Sequence, residues 1–177
     1  MTPFAVNKTT SGNPRTVPHQ CSYGHLQEER MREALRSTGE LDVRYSAELD
    51  CIYKLDAVAL IKSSPLLPAV GIQFTMRSSS EKQQRAVQVV RKTKIVNRFL
   101  YLRSRAPITQ DAAGILCSLV LLVATMSVSQ GIVAAVLATD ANGRYFITSV
   151  QSFPLRETTT NASRERKTKW STYAASH

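Results

Sequence analysis

Cysteine is scarce and unpatterned: Cys21, Cys51 and Cys117 are the only three, far apart and without CxxC spacing. That argues against a disulfide framework and a zinc ribbon, and for reduced thiols in a cytoplasmic protein. There is no Gly-x-Ser-x-Gly elbow, no Gly-x-x-x-x-Gly-Lys-Ser/Thr phosphate loop and no His-Glu-x-x-His helix, so three common catalytic designs are missing. The start, Met1-Thr2-Pro3-Phe4, lacks the basic-then-apolar pattern of a secretory signal. In the cytoplasmic reading the sequons at Asn7 and Asn161 are chance matches. Acidic residues are in deficit, 13 Asp+Glu against 23 Lys+Arg, for a formal net charge of +10. Such a balance favours a polyanionic partner, DNA or RNA first and an acidic membrane surface second; the plainer role for the charge is solubility.

With 177 residues and 43% hydrophobic composition, the chain is long and apolar enough for one self-sustaining core. We read residues 1–24 as an arm, 25–153 as one α/β domain and 154–177 as a basic polar tail. His19 and Cys21 of the arm and His25 just after it lack the fourth neighbour a zinc site wants. One stretch competes with a fully globular reading, because Ala112 to Thr139 contains no charged residue and has the length of a membrane span. The polar cluster Ser127, Ser129, Gln130 and Gly131 instead divides it into a buried helix and a buried strand.

Leu26 to Leu35 has helix-forming composition, with Gly39 as a stop. Val43 to Ile61 mixes Val, Ile, Tyr and Leu with polar residues and reads as a two-stranded hairpin, with Tyr53-Lys54-Leu55-Asp56 near its turn. In Val70 to Arg77 the apolar Val70, Ile72, Phe74 and Met76 alternate with Gln73, Thr75 and Arg77, so the two sets face opposite sides of a strand. Ser78 and Glu81 have capping-box spacing for a helix whose apolar stripe is Ala86, Val87, Val90 and Ile95. Its Lys82, Arg85 and Lys92, with Arg91 and Lys94 nearby, form either a phosphate-facing stripe or a solvated face. Val96 to Arg103 reads as the next strand and Thr109 to Met126 as the apolar helix. Gly131 to Ala138 and Tyr145 to Phe153 then form a hairpin around Asp140-Ala141-Asn142-Gly143.

From Leu26 to Arg103 this order, with Asp56 in Lys54-Leu55-Asp56-Ala57-Val58 and Gln73 in Gly71-Ile72-Gln73-Phe74-Thr75, resembles the PD-(D/E)XK nuclease superfamily. The resemblance implies a restriction-endonuclease-like αβββαβ core, here followed by an additional buried helix and a C-terminal β-hairpin. It also implies a nucleic-acid substrate and hydrolysis dependent on Mg²⁺ or Mn²⁺. Asp56 and Gln73 take the positions of the family's acid and Glu/Gln. Thr75 occupies the place of its lysine and carries no positive charge; Arg77 or Lys82 would have to substitute.

Phosphodiester hydrolysis needs a hard cation held by oxygen ligands, which Asp56, the Gln73 amide and the Phe74 carbonyl would supply, with Glu28, Glu29 or Glu48 as an extra carboxylate. Three expectations therefore stand side by side. The first is a metal-dependent endonuclease with an altered site, and the second a non-catalytic nucleic-acid-binding module on the same fold. The third is a single-span basic membrane protein.

Overall fold

The computed structural model describes residues 23–77, 79–127 and 131–155. His19, Cys21, both sequons, Ser78 and the tail beyond residue 155 lie outside them. The described residues form an α/β unit with one six-stranded mixed sheet and four helices. The elements are α1 (Tyr23–Ser37), β1 (Leu41–Arg44), α2 (Ala47–Tyr53), β2 (Ala57–Ile61), β3 (Val70–Thr75) and α3 (Ser80–Thr93). There follow β4 (Arg98–Ser104), a short 3₁₀ turn, α4 (Ala113–Thr125), β5 (Ile132–Thr139) and β6 (Tyr145–Phe153).

Strand order across the sheet equals order along the chain. β1, β2 and β3 form an antiparallel meander, β3, β4 and β5 run parallel, and β6 returns antiparallel to β5. Parallel neighbours need a crossover, and α3 and α4 provide the two. Leu100, Leu102, Val133 and Ala135 pack with α1 and α4 on one face, while Phe99, Tyr101, Ile132 and Ala134 pack with α3 on the other. β5, covered on both faces, accordingly reads Ile-Val-Ala-Ala-Val-Leu-Ala-Thr, a nearly unbroken apolar run.

Two local expectations are corrected. The segment between β1 and β2 is not a plain hairpin turn, because α2 occupies it. Ser46 caps that helix by accepting from the Leu49 N–H at 3.2 Å, and Glu48 and Asp50 lie in its first turn, where the helix dipole favours negative charge. The cap of α3 is Ser79, whose hydroxyl accepts from the Lys82 N–H at 3.2 Å, rather than Ser78.

The uncharged stretch divides into α4 and β5. At 1.5 Å per residue, the 13 residues of α4 reach about 20 Å, short of a hydrocarbon core of about 30 Å. Among the described residues no helix is long and apolar enough to cross a membrane.

Candidate functional site

The ladder between β2 and β3 stops at Ala57 opposite Ile72, and β3 continues beyond it. Asp56 fills the gap. Its N–H donates to the Ile72 carbonyl at 2.8 Å, and its carboxylate accepts from the Phe74 N–H at 2.5 Å. The N–H and C=O of one residue in an extended strand point to the same side, so the Phe74 carbonyl also faces the end of β2. The Gln73 side-chain amide stands 3.4 Å from the same carboxylate oxygen. Arg32 of α1 reaches the Asp56 carbonyl at 3.2 Å while its guanidinium lies over the Tyr45 ring, which fastens the first helix to this corner.

Asp56 is only 3% exposed. Burial pushes its carboxyl up to about 7, against the pull of the Phe74 N–H, and the negative charges of Glu28 and Asp50 push the same way. Arg32 offsets this only in part. Three acids thus bear on the end of β2, one held close to half-protonated at neutral pH. Such a corner attracts cations, which would lower the acidic proton's hold.

Beside it lies a cleft of about 610 Å³. Gln73, Phe74 and Thr75 of β3 and Tyr101 of β4 line it, together with α3's Lys82, Arg85 and Lys92; Glu28 and Lys54 complete the rim. The basic residues singled out from the sequence therefore share one concave surface with the β3 motif. Arg77 is exposed past the end of β3 and does not line this cleft. Glu28 does, whereas Glu29 and Glu48 are exposed elsewhere. Of the neighbouring cations, Arg91 is engaged with the Pro154 carbonyl at 2.9 Å, and Lys94 caps the end of α3.

Two contributors escaped the sequence reading. Lys54 ends α2 with φ 56°, in the left-handed region, and from there reaches the cleft rim. Tyr101 stands opposite Gln73 in the parallel register and is 4% exposed, with its hydroxyl lacking any hydrogen-bond partner among the described residues. Burial raises its phenol above the usual range; the charge of Asp56 adds to that and the charge of Arg103 opposes it. His25, in the first turn of α1, pairs with Glu28 at 3.0 Å.

Among the described residues no group of three or more His, Cys, Asp or Glu side chains is arranged to hold a metal ion. The oxygen groups at this corner and the adjoining cleft are those of Asp56, Glu28 and the Phe74 carbonyl, while the Gln73 amide turns its NH2 to the Asp56 carboxylate. A cation held by so few protein oxygens would have to keep several waters, as Mg²⁺ does. Compared with protein-family models, with curated proteins and with solved structures, the chain matches none.

Proposed function

We propose that this chain is a nucleic-acid-associated protein on a PD-(D/E)XK-like core, taking the phosphodiester backbone into the cleft and cleaving it with Mg²⁺ or Mn²⁺ held at the Asp56 corner. The observation that carries the reading is the convergence of Lys54, Lys82, Arg85 and Lys92 with Glu28, Gln73 and Thr75 in one cleft, next to the buried Asp56. The meander β1–β3, the crossover helix α3 and the parallel β4 support this reading, with α2 an addition between β1 and β2.

Each residue has a chemical part in this reading. Lys82, Arg85 and Lys92 follow one face of α3 and neutralise successive phosphates. Asp56 is the anionic anchor, Glu28 the second acid, and Gln73 and the Phe74 carbonyl are neutral oxygen donors. Bound there, Mg²⁺ or Mn²⁺ supplies a Lewis acid for the phosphoryl oxygen and lowers the pKa of a water. Thr75 cannot stabilise the charge that gathers on phosphate, and Lys82, which shares the cleft, takes that part.

Thr75 also favours a second reading, a binding module on the same fold that does not cut. Cleavage of single-stranded, duplex and branched substrates with either cation, comparing wild type with a folded Asp56→Ala variant, separates the two. Metal-dependent cleavage abolished by Asp56→Ala supports the first. Equal rates assign cleavage to another source, and binding with no cleavage on any substrate selects the module.

A further inference from the structure

A second, smaller pocket opens on the same face of the sheet, where α3 begins. It has a volume of about 170 Å³ and is lined by the cap residue Ser79, Ser80 and Gln83 of α3's first turn, Tyr101 and Arg103 of β4, and Ala134 to Val136 of β5. That is several times one water's share of about 30 Å³. Tyr101 is common to this pocket and the cleft, so the two adjoin.

Three features converge on an anion here. α3 has 14 residues, and its opening N–H groups have no acceptor within the helix; the Ser79 hydroxyl satisfies that of Lys82, which leaves those of Ser80 and Glu81 without an intrahelical partner. The Tyr101 hydroxyl, on a side chain 4% exposed, has no partner among the described residues. A buried hydroxyl left unpaired costs free energy, so its persistence in a pocket wall points to a ligand that pairs it. The Arg103 Nε is likewise buried without a partner, and the guanidinium brings fixed positive charge. Glu81, the one acid of this turn, is 81% exposed, lies 4.0 Å from Arg85 and is not part of the wall.

We propose that this pocket binds a phosphate group through Tyr101 Oη, Arg103, the Ser79 and Ser80 hydroxyls and the open N–H groups of α3. Resting on the reading above, that phosphate belongs to the nucleotide strand lying in the cleft, one or two residues along. Tyr101 then reads the junction between the two phosphates, and Arg103 adds a positive contact beyond the stripe of Lys82, Arg85 and Lys92.

The test uses Tyr101→Phe and Arg103→Gln in the full chain, with inorganic phosphate followed by amide chemical shifts and a labelled single strand followed by anisotropy. Because the Tyr101 hydroxyl makes no bond among the described residues, Tyr101→Phe is expected to keep its stability, and a thermal unfolding curve that matches wild type separates a loss of binding from unfolding. Phosphate is expected to move the amides of Ser80 to Gln83. Tyr101→Phe weakens both ligands about tenfold, the usual worth of a hydrogen bond to a charged group. Arg103→Gln lowers the magnitude of the strand's logarithmic salt slope by about 0.7. Shifts scattered away from α3, or unchanged phosphate affinity in Tyr101→Phe, overturn the pocket while leaving strand binding in the cleft untouched. Phosphate binding at α3 in a protein that binds no strand overturns the strand assignment and the proposed function with it.

Discussion

Replacing Asp56 by Asn separates the charge of the buried carboxyl from its hydrogen bond, since the amide oxygen can still accept from the Phe74 N–H. The native carboxyl sits at about 7 against 3.8 for a free side chain, because burial and the charges of Glu28 and Asp50 penalise its ionised form. A carboxyl whose folded pKa is raised binds its proton more tightly in the native state. Its stabilising contribution is complete below pH 3.8 and is lost as pH rises through about 7. Each unit in that window costs about 1.4 kcal/mol, so wild type should lose about 3 kcal/mol relative to Asp56→Asn between pH 5 and pH 8. The assay is urea unfolding in chelator at a series of pH values, and stability curves that run parallel for the two proteins refute the reasoning. Adding Mg²⁺ at pH 8 should then stabilise wild type more than the variant, because the variant keeps Glu28 but has lost the Asp56 carboxylate. Equal stabilisation of both would put the cation elsewhere.

The charge-reversal triple variant at Lys82, Arg85 and Lys92 should lower the magnitude of the logarithmic salt slope of duplex binding by about 2.7, from three lost phosphate contacts. An unchanged slope in a folded protein excludes that surface. Lys54→Gly and Lys94→Gly each relieve a left-handed backbone, φ 56° and 52°, and should each stabilise by up to about 1 kcal/mol in thermal unfolding. Of the two, only Lys54→Gly should also weaken nucleic-acid binding, since Lys54 lines the cleft and Lys94 does not. Gly71→Ala should destabilise by about 1–3 kcal/mol, because a Cβ there would meet Val96 Cγ2 at 2.9 Å and Leu55 Cδ2 at 3.1 Å. Normal stability in denaturant would mean that Val96 and Leu55 give way freely.

The elements that could be read in advance are those with a long or strict period. The alternation from Val70 to Thr75 puts Ile72 and Phe74 among the core of α1 and α4, leaving Gln73 and Thr75 for the cleft. The Asp140-to-Gly143 turn carries its glycine at φ 76°. α2 was illegible for a physical reason: its seven residues include no buried one, so no apolar stripe marks them, and Ile52 and Tyr53 lend the segment the look of a strand. Three consecutive serines left the start of α3 uncertain by one residue, which only the bond from Lys82 to Ser79 resolves. At the site, Asp56 and Gln73 stood out as residue types in a pattern. Tyr101 did not, because an aromatic in an apolar strand reads as core, and its relation to Gln73 exists only through the parallel register. Lys54 required knowing that a helix ends there in a left-handed turn.

The identity of sheet order with chain order bears on how the molecule is made. Every strand pairs with the strand just before it, so no segment has to wait for a distant partner, and the entropy of closing long loops is largely avoided. Synthesis from the N-terminus can therefore add strands in register, one after another. Asp56 can meet the Phe74 N–H as soon as the meander forms, before β4 exists, whereas the Tyr101 wall waits for β4 and the smaller pocket for β5 as well. The acidic corner is thus an early product of assembly and the basic cleft a late one. A nascent chain stalled between the two would carry the acidic end of β2 without the basic surface that lies beside it in the finished fold.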